Sequence, residues 1–105
     1  MFDQYQGTVV CASKYFNMEQ MRNLFQKGVD HFGENRVQDM LAKQQELKDL
    51  DITWHFIGHL QSNKVKYIAP FVCMIHGVDS EKLLQEINKQ AVKQNRIIDC
   101  LLQVH

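Results

Sequence analysis

The amino-acid sequence predicts an α/β fold with a parallel sheet, because two kinds of segment alternate along the chain. Five short apolar runs, rich in β-branched and aromatic residues, are separated by longer polar segments with helical spacing. The centres of these runs recur at intervals of roughly 20 to 25 residues, the length of one strand, one helix and short loops. The runs show little polar alternation, as is typical of strands covered on both faces in a parallel sheet.

The predicted strands lie at residues 8–13, 29–33, 52–57, 72–78 and 97–104. Right-handed crossovers between parallel strands then give the order β-α-β-α-β-α-β-α-β. Two architectures suit this order, an open doubly wound sheet and part of a (β/α)8 barrel. The first strand is not followed by a glycine-rich phosphate loop of the G-x-G-x-x-G or G-x-x-x-x-G-K-S/T type, which disfavours a nucleotide-binding doubly wound fold.

The first helix has clear signals at both ends. Asn17 is placed to cap a helix that begins at Met18, and Gln20 stands at the capping-box position. Gly28 follows the helical pattern and is placed to end it. We therefore expect a well-defined helix between the first two strands.

The later helices have similar but weaker signals. Asn35 or a neighbour opens the second helix, and Ser62 opens a short third helix that ends near Pro70. Asp79 or Ser80 opens the fourth. We assign the apolar stripes of all these helices to the core.

The composition is that of a soluble globular domain. A chain of 105 residues, 45% hydrophobic, suits one modest core, so we predict that residues 1–105 form a single domain. Twelve basic residues balance twelve acidic ones, so no net charge favours binding to nucleic acid or to an anionic membrane. Neither a secretion signal nor an apolar stretch of membrane-spanning length is present.

The three cysteines, Cys11, Cys73 and Cys100, each lie in an apolar run. Their number is odd and their spacing suits neither a zinc site nor a disulfide framework. We predict free thiols in a reducing compartment, and hence a cytoplasmic protein.

Polar side chains are predicted at the carboxyl ends of the strands, where both architectures place their ligand sites. In chain order these residues are Lys14, Glu34 and Asn35, His55 and His59, His76 and Asp79, and Gln103 and His105. A lysine, amides and histidines suit the lining of a small-molecule site. The histidines have no recognised metal-ligand spacing, so we predict no metal centre.

Lys14 and His55 each allow two interpretations. A lysine at the end of a buried strand can act as a nucleophile toward an aldehyde if its ammonium is desolvated, although most such lysines simply point to solvent. Position alone favours the solvated lysine. A single histidine in an apolar strand is more often a hydrogen-bonded core residue than a catalyst.

Several segments resemble one known family. The sequence WHFIGHLQSNK at residues 54–64 is similar to the signature of the pyridoxal phosphate homeostasis proteins, small single-domain relatives of the alanine racemase barrel. Further similar segments are CASK at 11–14, HFGENRVQ at 31–38, IHGVDS at 75–80 and LLQV at 101–104. The resemblance covers essentially residues 8–105, in order and at plausible spacing.

The resemblance implies a TIM-barrel type (β/α)8 fold, of which this chain holds about the first five β/α units. It also implies that pyridoxal 5'-phosphate (PLP) binds at the carboxyl ends of the strands, with Lys14 as the Schiff-base lysine. The implied lining residues are Asn35, His55, His76 and Gln103. Glu34 and Arg36 are expected to cap or tie the following helix, and Lys64 to pair with a carboxylate or to attract an anionic ligand.

The implied function is a cofactor carrier that takes part in intracellular PLP homeostasis without enzymatic turnover. A PLP-dependent amino-acid racemase is an alternative, but the second domain that supplies the racemase tyrosine has no counterpart here. A non-catalytic interaction fragment is another, because the family's phosphate-binding segment follows the fifth strand and is absent from this sequence. We also expect self-association through the open edge of the truncated barrel.

Overall fold

The computed structural model describes residues 9–103. Predicted strand residues 8 and 104, and the rim residue His105, lie outside the described residues. Within them the elements are β1 (Cys11–Ala12), α1 (Met18–Gln26), β2 (His31–Glu34), α2 (Val37–Glu46), β3 (Thr53–Phe56), a 3-10 turn (Ser62–Lys64), α3 (Val65–Ile68), β4 (Val72–Val78), α4 (Glu81–Lys93) and β5 (Asp99–Leu102).

The described strands form one five-stranded sheet in the order β1-β2-β3-β4-β5, and every neighbouring pair is parallel. The predicted α/β fold with a parallel sheet is therefore confirmed. Each strand pairs with the one before it in the chain, so the order does not reverse as it does in a doubly wound sheet. For the described strands, the sequential order therefore disfavours the open doubly wound sheet. It favours a singly wound arrangement.

The hydrophobic core lies between the helices and one face of the sheet. Each helix contributes a buried side chain to it: Met21 from α1, Met40 from α2, Ile68 from α3 and Ile87 from α4. The strand residues that meet them include Phe32, Trp54, Phe56 and Ile75, each at most 5% exposed. Trp54 and Phe56 thus face the helices.

Because side chains alternate along a strand, the residues between these core positions point to the opposite face. Register places Gly33 beside His55, and His55 beside Met74, so this second face carries His31, Gly33, His55, Met74 and His76. We call it the open face, since the described helices pack on the other side of the sheet.

The predicted caps of α1 are confirmed. The Asn17 side chain accepts a hydrogen bond from the Gln20 backbone N–H at 2.8 Å, and the Gln20 side chain accepts one from the Asn17 N–H at 2.9 Å. Gly28 has a φ of 102°, the left-handed conformation that glycine adopts without strain after a helix. At α4, Ser80 caps the helix by accepting from the Leu83 N–H at 3.1 Å.

The cap residue of α2 is Arg36, a neighbour of Asn35 as predicted, and it makes no side-chain capping bond. The third helical segment begins at Ser62 as predicted, but its first turn is 3-10 and the α-helix proper starts at Val65. No described helix has the length and apolar character that a membrane span requires.

One arginine not singled out in the sequence ties two loops together. Arg96 lies between α4 and β5, and its guanidinium donates to the backbone carbonyls of Ala69 at 2.6 Å and Val72 at 2.8 Å. The last described strand is therefore anchored to the start of β4 by a side chain as well as by the sheet. Hydrogen bonds from a charged group to carbonyls are stronger than neutral ones.

The cysteines Cys11, Cys73 and Cys100 are free thiols, each partly buried. Burial raises the pKa of the Cys11 thiol, and burial followed by the charge of Asp99 raises the pKa of the Cys100 thiol. A raised pKa reduces the thiolate fraction and hence reactivity.

Candidate functional site

Three histidines form a continuous row across the open face. The histidine row consists of His31 at the start of β2, His55 in β3 and His76 in β4. His31 Nδ1 lies 2.9 Å from His55 Nε2, and His55 Nδ1 lies 3.1 Å from His76 Nε2. The parallel sheet explains the row, because its register brings same-face positions of neighbouring strands together.

The row constrains the protonation of its members. Each contact between two ring nitrogens needs one N–H and one lone pair, so a neutral His55 donates at one nitrogen and accepts at the other. Burial, and to a smaller extent the charges of His31 and then His76, lower the pKa of His55 to about 4. His55 is therefore a neutral imidazole near pH 7. It is only 5% exposed, which agrees with the hydrogen-bonded core histidine predicted from its strand.

A buried polar network lies on the helix side of the sheet, just before Lys14. Lys43 Nζ donates to the Glu34 carboxylate at 2.9 and 3.1 Å and to the Ser13 carbonyl at 2.8 Å. The Ser13 hydroxyl also donates to Glu34. Ser13 and Glu34 are fully buried and Lys43 is 8% exposed, so the charges are compensated by one another rather than by water.

This Ser13–Glu34–Lys43 network joins three elements. Ser13 follows β1, Glu34 ends β2, and Lys43 projects from α2. Glu34 thus ties the following helix, one of the two roles expected for it. The network holds the backbone of the residue immediately before Lys14 in a fixed place.

Lys14 itself is exposed, at the turn that follows β1. Its Nζ lies 5.0 Å from the ring centroid of Tyr15, an aromatic side chain that is 85% exposed. Within the described residues its amine takes part in no ion pair. The amine is therefore accessible at the rim, as position alone predicted.

Asn35 follows β2, where the chain passes very close to Gly58. A Cβ placed on Gly58 would lie 2.5 Å from the backbone oxygen of Asn35, so any side chain at position 58 would force the two loops apart. Gly58 is needed for this close backbone approach between the two loops.

Gln103 follows β5 and lies beside the end of β4. Its backbone N–H donates to the Val78 carbonyl at 2.8 Å. Its side-chain Oε1 lies 3.5 Å from the place that a Cβ on Gly77 would occupy, and Gly77 has a φ of 66°. The amide therefore lies next to the residue that follows His76.

The structure brings some of the predicted site residues into contact and leaves others apart. His55 and His76 are hydrogen-bonded, and Gln103 lies over the neighbouring Gly77. Lys14 and Asn35 follow the adjacent strands β1 and β2. No described hydrogen bond joins either of those two side chains to the other three.

Sequence reasoning gave too little weight to His31 and missed Lys43. Lys43 has a recognisable signal, since it stands three residues after Met40 and four before Leu47, within the apolar stripe of α2. A lysine in such a stripe is buried only when it is paired. His31 shares the parity of Gly33 in its strand, but only the strand register reveals that it meets His55.

Comparisons with known proteins identify relatives of this chain. No protein-family model matches it. A curated protein of Aquifex aeolicus named "Pyridoxal phosphate homeostasis protein" is 48% identical over 94 residues, which is 90% of this chain and 41% of that protein. A protein of the same name from Buchnera aphidicola is 38% identical over 99 residues, covering 93% of this chain and 50% of the relative.

A solved structure is also similar. PipY of Synechococcus elongatus, determined with PLP bound, has 40% sequence identity and a TM-score of 0.88 over 98% of this chain. The match covers 50% of the PipY chain. The present chain thus spans about half of the length of the relatives it matches, or somewhat less.

The fold and the rim of polar side chains define a parallel β/α protein with a candidate ligand site where its strands end. Its curated homologues are the pyridoxal phosphate homeostasis proteins, so the resemblance predicted from the sequence is confirmed. Those homologues are named for homeostasis and not for an enzymatic reaction.

Proposed function

We propose that this chain is a PLP-binding part of a protein for intracellular PLP homeostasis. The observation that carries the proposal is the similarity to PipY, a structure with PLP bound, at 40% identity over 98% of the chain. We further propose that residues 1–105 form a single domain, the first five β/α units of a (β/α)8 barrel. The sequential strand order and the placement of all described helices on one face support this, because a barrel has an outer ring of helices.

Within this proposal the open face is the inner wall of the barrel, and the site lies at its carboxyl-end rim. Lys14 is the residue that we propose forms a Schiff base with PLP, in which its amine replaces the aldehyde oxygen and water is released. Two observations support Lys14: its amine is accessible, and the network behind it fixes the preceding Ser13. A fixed backbone limits the positions that a flexible lysine amine can reach.

The other predicted residues fit the lining of such a site. Asn35 and Gln103 supply amides, which can both donate and accept, and His55 supplies a neutral imidazole. His76 ends the histidine row nearest to Gln103. We propose these as cofactor-binding positions with Lys14.

The described residues of the proposed site offer little positive charge to bind the cofactor phosphate. The described strand positions of the open face are neutral side chains, histidines and Asp99, with no lysine or arginine among them. A phosphate monoester carries about two negative charges near neutral pH. We therefore propose that high affinity for PLP requires segments of a longer protein, and that this chain alone supplies the covalent part of the site.

We propose a carrier rather than an enzyme, since the curated relatives are named homeostasis proteins. The free thiols at Cys11, Cys73 and Cys100 are the ordinary state of cysteine in a reducing compartment and support a cytoplasmic location. The following test distinguishes this carrier from the two alternatives, a racemase and an interaction fragment that does not bind PLP.

The test mixes the chain with PLP, records the absorbance near the visible edge, and traps the product with borohydride for peptide mass spectrometry. We expect one reduced adduct on Lys14, lost in Lys14→Ala and retained in Lys27→Ala, an exposed lysine remote from the rim. An adduct of equal yield in Lys14→Ala would contradict the assignment. Racemisation of an added L-amino acid would instead favour an enzyme, and no adduct at all would favour an interaction fragment.

A further inference from the structure

A groove of about 500 Å³ lies between α2 and α3. Val37 and Leu41 of α2 form one wall, Tyr67 of α3 lies on the other, and the helix-facing Phe56 lines it from the sheet. We call it the α2–α3 groove. Because Phe56 points away from the open face, the groove is on the opposite side of the sheet from the histidine row.

The groove is separate from the proposed cofactor site. Among the residues predicted to bind the cofactor, only Asn35 lines it, while Lys14, His55, His76 and Gln103 do not. Four members of the signature at residues 54–64 do line it, namely Phe56, His59, Gln61 and Lys64. This part of the signature has no role in the proposed carrier chemistry.

Positive charge dominates the lining. Arg36 and Lys64 face the groove together with His59, whereas the lining contains no aspartate or glutamate. Within the described residues neither Arg36 nor Lys64 takes part in an ion pair, although Arg22 and Lys43 do. The carboxylate partner considered for Lys64 is therefore absent from the described part of the chain. Two cations in one groove, without an ion pair among residues 9–103, favour an anionic ligand in a chain of balanced charge.

The remaining lining indicates what else the ligand carries. Asn35, Gln38 and Gln61 offer amide groups, and Val37, Leu41, Phe56 and Tyr67 offer apolar surface. Tyr67 is 47% exposed, and the Nζ atoms of Lys64 and Lys66 lie 5.7 and 5.3 Å from its ring centroid, so this aromatic side chain carries positive charge beside it. The amino end of the ten-residue helix α2 also lies at the groove, where its backbone N–H groups add to the attraction of an anion. Small-molecule sites commonly combine an apolar lining with a few converging polar groups.

We propose that the α2–α3 groove binds a phosphate monoester with an aromatic ring. Arg36 and Lys64 hold the phosphate, and the apolar wall with Tyr67 holds the ring. Arginine recognises phosphate through two parallel N–H bonds, and lysine adds a compact charge. This proposal does not rest on the proposed function, because it uses neither Lys14 nor an aldehyde.

The probe is phenyl phosphate, which carries the dianion and the ring but cannot form a Schiff base. Binding to the whole chain is followed by titration calorimetry and by backbone amide NMR shifts. We expect shifts at Gln38, His59 and Gln61, and at least tenfold weaker binding in R36Q/K64Q. The matched control K27Q/K48Q removes the same charge from exposed lysines outside the groove and is expected to bind as the parent does.

Three outcomes would overturn the proposal. Equal affinity in R36Q/K64Q would show that the two cations do not hold the anion. Loss of binding in Lys14→Ala would place the probe at the cofactor rim instead. Inorganic phosphate binding as tightly as phenyl phosphate would exclude a role for the apolar wall. Retention of probe binding in Lys14→Ala, even if PLP forms no adduct, separates this inference from the carrier function.

Discussion

His55 shows how neighbouring strands set the charge of one residue. Its ring is buried between two other imidazoles that occupy both of its nitrogens, 2.9 and 3.1 Å away. A proton added to His55 would leave it with two N–H groups facing rings that must then both accept. Burial is the largest cause of its low pKa, and the two neighbouring histidines add to it.

This arrangement predicts a stability that depends on pH. The pKa of His55 is about 4 in the folded chain, against 6.5 for an ordinary histidine, so the unfolded chain binds the extra proton first. The contribution is present above about pH 6.5 and is lost progressively as the pH falls toward 4. Over this window the free energy of unfolding is expected to fall by on the order of 3 kcal/mol.

Urea unfolding at several pH values measures this effect. His55→Gln is expected to flatten the dependence between pH 6.5 and 4, whereas His59→Gln, which changes an exposed histidine, is expected to retain it. Parallel pH profiles for the parent and His55→Gln would show that another group is responsible.

At the scale of elements, the sequence predicts the order of strands and helices better than it predicts how they are joined. Periodicity and caps are local, so the capping box at Asn17 and the Ser80 cap could be read directly. The contact of His31 with His55 and the hydrogen bonds from Arg96 to two backbone carbonyls depend on register and packing. Those contacts join residues 24 or more positions apart, which no local pattern encodes.

Some residues of the candidate site could likewise be predicted from local sequence, and others could not. Strand ends could be predicted, because all parallel strands in one sheet end on the same side, and this gave Lys14, Asn35 and Gln103 as rim residues. The burial of Lys43 could not be derived from its spacing alone, because a lysine in an apolar stripe also commonly extends its amine to water. Only the positions of Ser13 and Glu34 show where its charge is held.

The same network predicts how firmly α2 is attached to the sheet. Lys43→Met leaves the carboxylate of Glu34 buried without its cation, so we expect a loss of about 3–5 kcal/mol in the free energy of unfolding. Adding Glu34→Gln to that variant removes the unpaired charge and should recover part of the loss. The measurement is equilibrium urea denaturation.

Lys48→Met is the matched control, because Lys48 lies just beyond α2 and is exposed. It should change stability by no more than about 0.5 kcal/mol, the usual range for a surface substitution. A Lys43→Met variant as stable as Lys48→Met would indicate that the buried pair does not fasten the helix.

At the scale of the whole molecule, the described sheet has two edges. β1 pairs only with β2, and β5 pairs only with β4. Near the β5 edge Ile97, Leu101 and Leu102 are 86%, 52% and 58% exposed. An exposed apolar edge strand is a ready template for pairing with another chain.

We therefore predict that the isolated chain self-associates. Gel filtration with light scattering is expected to give a mass above that of the monomer that rises with protein concentration. Leu101→Lys places a charge at the β5 edge and should shift the distribution toward monomer, whereas Leu84→Lys, on an exposed position of α4, should shift it less. A concentration-independent monomer would contradict the prediction.

The sequential strand order also bears on how such a sheet is made. Every strand pairs with the strand that immediately precedes it in the chain, so each pairing closes a loop of only one helix and its connections. Loop-closure entropy grows slowly with length, but it must be met before any pairing forms, and short closures favour rapid folding. Among the described strands, each one from β2 onward finds its preceding partner already synthesised. The sheet can therefore be assembled in the direction of translation, one β/α unit at a time, as the nascent chain leaves the ribosome.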